Sequence, residues 1–340
     1  LDDRYKGGVF QLNVKVKNVS DRDKGILKLD TKILDGSNEI FKKSSVVDLS
    51  VNEKISVETM VDDVKKWSAE YPNLYGLEIS LFDQGKLIDR VITKFGFRKI
   101  EIINQHLSVN GAPITIKSIT RRDNPGPMSD ESMIKDIKLM KKYNINAVLT
   151  EGGSIHQKWY ELCDRFGLYL IDEAHINCSG MVNHKKGCRA ISDNDEWQYH
   201  YLDKVQRLVR GNKNHPSIIA WSVGSKPGKG QNFEKCVEWI RSYDPTRPII
   251  IDEENAADND DIIFYNINRP DAFEKNNGKS LLILRDFHQF LPGNAAGLAD
   301  IWKEVKNNRA IQGGSILQWR SPAIFPTGEY EIVPGKTNQL

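Results

Sequence analysis

The stretch Asn214-His215-Pro216-Ser217-Ile218-Ile219-Ala220-Trp221-Ser222-Val223-Gly224-Ser225-Lys226 decides how the larger part of this chain folds. Its central residues, 218–223, form a short apolar run that is typical of a buried strand. Parallel strands are buried on both faces and therefore show near-continuous apolar runs instead of alternation. The stretch predicts one strand of an α/β domain, followed directly by a polar loop that contains Lys226.

Seven further runs of this kind occur after residue 113 and alternate with segments of helical periodicity. The predicted strands are 114–119, 146–150, 169–174, 218–223, 248–252, 261–266, 281–285 and 314–319. One helical stripe is formed by Met133, Ile137 and Met140, and similar stripes recur at 202–209 and 298–305. Eight strands with intervening helices predict a TIM-type (β/α)8 barrel. No helix fits the short polar segment 268–279, so one barrel helix is expected to be reduced.

The first part of the chain has a different period. Apolar residues alternate at Phe10, Leu12, Val14 and Val16, and turns rich in Gly and Asp separate this run from similar ones. Alternation over short runs predicts antiparallel strands of a β-sandwich. The predicted domains are a sandwich at 1–103 and a barrel at 104–340, whose last residues, from 321 onward, read as an irregular tail. A small hairpin at 106–113 is predicted to precede the first barrel strand.

Composition excludes several classes of function. The 48 Lys and Arg residues nearly balance 46 Asp and Glu residues, which gives no support to nucleic-acid binding. No apolar run approaches the roughly 18 residues that span a bilayer, and no signal peptide is recognisable. Because the chain begins at Leu1 without an initiator Met, we expect a processed or truncated piece. The compartment stays open.

The four cysteines, Cys163, Cys178, Cys188 and Cys236, lack the spacing of a metal site. They are therefore expected to be buried thiols and not zinc ligands. A disulfide between Cys178 and Cys188 is the alternative in an oxidising compartment.

The stretch around Ile218 resembles the run N-H-P-S…W-S-x-G of glycoside hydrolase family 2, the β-galactosidase and β-glucuronidase group. In that family the run ends in Asn-Glu, and the Glu is the proton donor; here the pair is Ser225-Lys226. The resemblance extends from about residue 8 to residue 320. It implies an immunoglobulin-like sandwich followed by the barrel, and the family's N-terminal sugar-binding jelly-roll domain has no counterpart in this sequence.

The resemblance also implies where catalytic residues should lie, and several of these positions are changed. Lys226 occupies the acid/base position, and Asp286 replaces the nucleophilic Glu in a segment at 283–287. Asn177 and Ser179 occupy positions where the family's β-galactosidases hold magnesium with Glu and His. Leu317 replaces an aromatic residue. We therefore expect degenerate catalytic positions, no metal and no cofactor.

Six other residues in or just after predicted barrel strands are candidates for the pocket, although the two tryptophans are expected to be mostly core residues: Arg121, Asp172, Glu173, Trp221, His288 and Trp319. Unpaired carboxylates at the end of a buried strand would be costly, so Asp172 and Glu173 are expected to have partners such as Arg121. A structural network is favoured for them over catalysis.

Other readings remain open at this point. Lys226 is either an anion-binding cation or a solvated loop residue, and Asp286 is either a residual nucleophile or part of an ion pair with Arg285. His288 could act as a general acid, and Trp319 could stack on a sugar ring. The acidic run 252–254 is expected to be a solvated loop.

Two functions from different classes follow. The first is a family-like protein that has lost hydrolysis and acts as a carbohydrate-binding, scaffold or assembly component. Its partners would be a carbohydrate ligand or other proteins. The alternative is an active retaining β-glycosidase that uses Asp286 together with an acid supplied by Glu173 or Glu253.

Overall fold

The computed structural model describes residues 1–18, 25–50, 54–121, 128–151, 155–181, 183–252, 261–266, 281–285, 302–303, 305–316, 320–324 and 330–334. The chain divides into two compact units, Leu1–Lys99 and Ile100–Leu340.

The first unit is an immunoglobulin-like β-sandwich. Its strands are β1 (Gly8–Lys15), β2 (Ile26–Asp35), β3 (Asn38–Asp48), β4 (Lys54–Val61), β5 (Tyr75–Asp83) and β6 (Lys86–Phe95). β1 pairs with β4, and the other four form a sheet in the order β3-β2-β5-β6. Every pairing is antiparallel.

The core of this unit is built from both sheets. Phe10 and Val57 come from the two-stranded sheet, while Ile33, Tyr75 and Leu77 come from the four-stranded one. Inward residues alternate with exposed ones, for example along β1. This is the pattern that alternation of apolar residues predicts for a sheet with one buried face.

The second unit opens with a small sheet of β7 (Ile100–Ile103), β8 (His106–Val109) and β9 (Ala112–Pro113). Asn110 and Gly111 form its tight turn, and both have positive φ, 56° and 79°. A two-residue turn of this hand matches the twist of an antiparallel pair, and Asn-Gly tolerates it best. The predicted hairpin is thus confirmed.

Eight parallel strands then close into a barrel. They are β10 (Ile116–Arg121), β11 (Ala147–Thr150), β12 (Tyr169–Glu173), β13 (Ile218–Ser222), β14 (Ile249–Asp252), β15 (Ile262–Asn266), β16 (Leu281–Arg285) and β17 (Ile311–Ile316). Each strand pairs with the next, and β10 pairs with β17. Strands β11, β12, β13 and β16 are buried along their whole length, as expected for parallel strands covered on both faces.

Helices of this unit lie between the strands and bury one stripe each. They are α1 (Asp130–Lys142), α2 (Gln157–Phe166), the short α3 (Arg189–Ser192), α4 (Gln198–Asn212) and α5 (Gln231–Tyr243). α1 begins where the Ser129 side chain accepts the Ser132 N–H, and Asp130 and Glu131 follow in its first turn. Both features stabilise a helix start. Met133, Ile137 and Met140 form its buried stripe, as their spacing predicts.

Two differences from the sequence-based prediction stand out, and one expectation is not tested. The last barrel strand lies at Ile311–Ile316, three residues before the predicted range, because the buried stretch begins at Ile311. The C-terminal stretch predicted as an irregular tail contains an antiparallel pair of strands, β18 (Arg320–Ile324) and β19 (Tyr330–Pro334). The segment 268–279, where a helix was expected to be reduced, lies outside the described residues.

No helix among the described residues is long and apolar enough to cross a membrane. Cys178 and Cys188 form a disulfide, whereas Cys163 and Cys236 are buried free thiols. The expectation of buried thiols therefore holds for two cysteines, and the disulfide alternative is correct for the other two. The cross-link closes a loop between β12 and α4.

Replacement of both Cys178 and Cys188 by Ser should lower the free energy of unfolding of the barrel unit by about 2 to 3 kcal/mol, because the open loop gains chain entropy when unfolded. Thermal unfolding followed by tryptophan fluorescence measures this, since six of the seven tryptophans follow residue 99. A reductant should produce the same shift in the wild type and none in the double variant. Equal stability of both proteins without reductant would contradict the prediction.

Candidate functional site

Polar side chains end several barrel strands at the same side of the barrel. Thr150 is aligned with Arg121 on one side and with Asp172 on the other, and Glu173 is aligned with Ser222. The carboxyl ends of parallel barrel strands form the mouth in which active sites of this fold lie. The candidate site is therefore the set of polar groups at this end of the barrel.

The central contact of the site is an ion pair between Arg285 and Glu173. Arg285 Nη1 lies 3.2 Å from Glu173 Oε2, and Nη2 lies 3.3 Å from Oε1. The hydroxyl of Ser222 also donates to Oε2 at 3.0 Å. Two parallel contacts between guanidinium and carboxylate are the arrangement that matches the planar geometry of both groups. Both oxygens of Glu173 are therefore engaged.

This ion pair crosses the barrel. Arg285 ends β16 and Glu173 ends β12, and these strands are four places apart in a closed barrel of eight. They consequently lie on opposite sides, and the contact passes through the interior of the mouth. Arg285 Nη2 also lies 3.4 Å from Oε1 of Glu151, the residue after β11. One guanidinium thus serves two buried carboxyl groups.

Burial of the Glu173 side chain determines how readily its carboxyl gives up a proton. The Glu173 side chain is 1% exposed, and its desolvation raises the pKa of the Glu173 carboxyl from 4.5 to about 7, against the opposing effect of Arg285. The neighbouring Glu151 adds to the upward shift of that pKa. Two carboxylates facing one cation carry an excess negative charge, which a proton on Glu173 relieves.

Asp172 forms a second, separate network. Its Oδ1 accepts hydrogen bonds from the hydroxyls of Thr150 and Tyr160 at 2.6 and 2.9 Å, and its Oδ2 accepts one from Asn212 Nδ2 at 2.9 Å. Complete burial raises the pKa of Asp172, although these donors oppose the shift. The three donors lie on β11, α2 and α4, so the Asp172 carboxyl connects these elements to β12, the strand that carries it.

Asp172 and Glu173 do have polar partners, but these are the groups described above and not Arg121, the example that the sequence suggested. The Arg121 guanidinium lies 3.8 Å from the centroid of the Trp159 ring, and Nη1 lies 3.7 Å from Oδ2 of Asp136 in α1. Arginine stacks well on aromatic faces because its planar cation is weakly hydrated. Arg121 thus joins the first barrel strand to the helices behind it.

Lys226 lies in the loop after β13, and its side chain is exposed. Its backbone has a φ of +58°, a left-handed conformation that is uncommon for a residue with a side chain. The Lys226 N–H donates to Oδ2 of Asp252 at 3.1 Å, and its carbonyl accepts from the Cys178 N–H at 3.0 Å. Neighbouring segments therefore hold the backbone at this position.

Residues at the positions of the family's metal ligands do not fit a divalent cation. Asn177 and Ser179 are exposed, and Asn177 Oδ1 accepts the Ser179 N–H at 2.8 Å within their own turn. Lys226, which the resemblance places at the acid/base position, is a cation. Among the described residues, no group of three His, Cys, Asp or Glu side chains is placed to hold a metal.

The structure places Trp221 in the core. Its ring is fully buried, and the indole N–H donates to Oδ2 of Asp244 at 2.9 Å. The other proposed pocket residues, Asp286, His288 and Trp319, lie outside the described residues, as do Glu253 and Leu317. Their roles stay predictions.

Sequence reasoning missed the role of Arg285, which it considered only as a neighbour of Asp286. It also missed Thr150, which donates to Asp172. A signal was available for both, because each is the polar last residue of an otherwise apolar strand. What the sequence could not supply is which strand ends face each other across the barrel.

The chain belongs to glycosyl hydrolase family 2. The family model described as "Glycosyl hydrolases family 2, TIM barrel domain" matches residues 100–331, and the model "Glycosyl hydrolases family 2" matches residues 1–98. Both matches agree with the fold described above and confirm the resemblance found in the sequence.

Among curated relatives, the chain is 31% identical to a β-galactosidase of Pectobacterium atrosepticum, over 94% of this chain and 33% of that protein. It is 34% identical to a β-galactosidase of Vibrio vulnificus, over 79% of this chain and 28% of that protein. The chain therefore spans about a third of the length of the curated relatives that it matches.

Solved structures show the same fold at lower identity. β-Glucuronidase 3 of Bacteroides uniformis matches with a TM-score of 0.73 and 15% identity, over 94% of this chain and 46% of that chain. A β-glucuronidase of Bifidobacterium dentium matches with a TM-score of 0.70 and 17% identity, over 92% and 60% of the two chains.

Replacement of Arg285 by Met should lower the free energy of unfolding by about 3 to 5 kcal/mol at pH 8, because it leaves buried carboxyl groups without their cation. The matched control is Arg207→Met, which removes an exposed helical ion pair with Asp203 and should cost at most about 0.5 kcal/mol. Urea unfolding of both variants measures the difference. Similar losses in the two variants would show that the buried pair contributes no more than a surface pair.

The raised pKa of Glu173 predicts a pH dependence of stability. A carboxyl that binds its proton more tightly when folded contributes stability below its ordinary pKa of 4.5, and this contribution is lost as the pH rises to about 7. The free energy of unfolding of the wild type minus that of Glu173→Gln should therefore fall across this range, by at most about 1.4 kcal/mol per pH unit. Urea unfolding at several pH values measures it. A difference that stays flat or rises would refute the assignment.

Proposed function

We propose that this chain is a family 2 barrel that no longer hydrolyses glycosides and instead binds carbohydrate within a larger assembly. The observation that carries the proposal is Lys226, an exposed lysine at the position that the family resemblance assigns to the proton donor. The buried ion pair between Arg285 and Glu173 at the barrel mouth supports the same proposal.

A retaining glycosidase needs a carboxylic acid that first protonates the leaving oxygen and then, as a carboxylate, deprotonates water. A lysine ammonium cannot carry out both steps. The loop that carries Lys226 also has little freedom to bring a neighbouring residue into the role of the acid. Its backbone is hydrogen-bonded at Lys226 to Asp252 and to Cys178. The position is thus both chemically altered and held in place.

The cross-barrel ion pair adds a steric argument. Arg285 reaches from β16 to Glu173 on the opposite side, through the region in which a barrel enzyme places the reacting part of its substrate. The Arg285 and Glu173 side chains are 10% and 1% exposed, respectively. A sugar ring at this depth would have to displace a paired guanidinium, which carries a large cost when the charges left behind are buried.

The relatives named as β-galactosidases set the sugar classes to be tested but do not transfer their activity, because the chain covers only about a third of their length. Carbohydrate binding without turnover is compatible with the retained fold, since function depends on the site and not on the fold.

The second candidate is an active β-glycosidase in which Asp286 is the nucleophile and Glu173 is the acid. One observation favours it: burial raises the pKa of Glu173 to about 7, the range suited to a general acid at neutral pH. The contacts of Glu173 argue against it, because both of its oxygens are engaged by Arg285 and its side chain is 1% exposed.

The wild-type chain should release no nitrophenolate from 4-nitrophenyl β-galactoside or 4-nitrophenyl β-glucuronide above the level of an Asp286→Asn variant. Aryl glycosides have a good leaving group and require little protonation, so this assay is permissive for an enzyme that lacks its acid. Absorbance at neutral pH over several hours measures the release.

The opposite result would overturn the proposal in a defined way. If the wild type releases nitrophenolate and Asp286→Asn does not, the chain is an enzyme. A Glu173→Gln variant then identifies the acid, because loss of a general acid slows alkyl glycosides by about a hundredfold or more while aryl glycosides are affected less.

A further inference from the structure

A groove lies beside the loop that carries Lys226. It is formed by the segment after β12, has a volume of about 700 Å³, and is lined by residues that include Asn177, Met181, His184, Lys186, Ile191 and Trp197. This volume falls within the roughly 300 to 1,000 Å³ of small-molecule sites. Because the segment follows the carboxyl end of a barrel strand, the groove belongs to the rim of the mouth.

Trp197 provides an aromatic surface in this groove. It ends a single turn of 3-10 helix, Asp195–Trp197, just before α4, and it is 43% exposed. The neighbouring His200 ring lies 5.6 Å from its centroid and supports it from α4. The exposed face of this indole can stack against the apolar face of a sugar ring.

Lys186 is the positively charged residue among those that line the groove. His184 and Lys186 are the ionisable side chains among the residues that line the groove, apart from the disulfide-bonded Cys178, and no Asp or Glu lines it. A ligand with a negative charge is therefore favoured over a neutral one of the same shape.

The groove is held in shape by contacts on the side away from solvent. The Cys178–Cys188 disulfide joins the start of the lining segment to its middle. Asn232 at the start of α5 donates to the carbonyls of Ile191 and Asn194 at 3.0 and 2.7 Å. Ser192 donates to the Lys229 carbonyl at 2.9 Å. A site fixed in this way does not lose binding free energy to the ordering of loops.

We propose that this groove binds an acidic sugar, with the pyranose ring against Trp197 and the carboxylate near Lys186. The inference rests on the proposed carbohydrate binding and deepens it by naming the site and the class of ligand. Binding here requires neither Asp286 nor an acid at position 226, so it does not depend on whether hydrolysis occurs.

Isothermal titration of the full chain with trigalacturonic acid and with its methyl ester tests the inference. The acid should bind at least about fivefold more tightly than the ester, and added NaCl should reduce this preference, because screening weakens exposed charge pairs. Trp197→Ala should weaken binding of the acid by about tenfold or more, and Lys186→Glu by about fivefold or more.

The matched control is Tyr199→Ala, an aromatic residue two positions further on that is 69% exposed and does not line the groove. It should bind the acid within about twofold of the wild type. If Trp197→Ala does not fold, two other variants test the inference. They are Trp197→Phe, which retains a smaller ring, and Lys186→Glu.

Unchanged binding in the Trp197 and Lys186 variants, equal affinity for acid and ester, or no heat with either ligand would overturn the inference. The first two results leave carbohydrate binding elsewhere on the chain intact. Release of nitrophenolate contradicts the proposed loss of hydrolysis whatever the titrations show, so that failure is distinguishable from failure of the inference.

Discussion

The guanidinium of Arg285, held between carboxyl groups at the end of the barrel, is the interaction on which the centre of this structure depends. It joins β16 to β12, which are not neighbours in the sheet, and it does so where water is largely excluded. Buried charges of this kind stabilise little by themselves, but the loss of one partner is strongly unfavourable. Side chains of the protein itself consequently meet across the mouth, and their contact restrains the separation of the ends of β12 and β16.

The same principle operates at other buried carboxyl groups of the barrel. Asp164 in α2 accepts the Ser217 N–H and contacts Nδ1 of His215, and Asp244 accepts from Trp221 and pairs with Arg247. Each carboxylate thus gathers donors from segments distant in sequence. These buried polar residues therefore connect strands, loops and helices.

The fold was largely predictable because it follows from local pattern. Continuous apolar runs marked the barrel strands, all but the last to within two residues, and alternation marked the sandwich. The last strand was misplaced because the predicted range began at Gly314 and left out the buried residues from Ile311 onward. The site was less predictable. Pairing of Arg285 with Glu173 depends on which strands lie opposite each other in a closed barrel. Neither the spacing nor the composition of the sequence shows which strand ends face each other.

Closure of the barrel also has a consequence for synthesis. Strand β10 can complete its hydrogen bonds only when it meets β17, which lies nearly 200 residues further along the chain. The strands of the sandwich, in contrast, all pair within the first 95 residues. Growing from its N-terminus, the polypeptide can finish the sandwich while the barrel is still an open, curved sheet. Until Ile311–Ile316 emerge, the free edges of that sheet are exposed to chaperones and to other nascent chains.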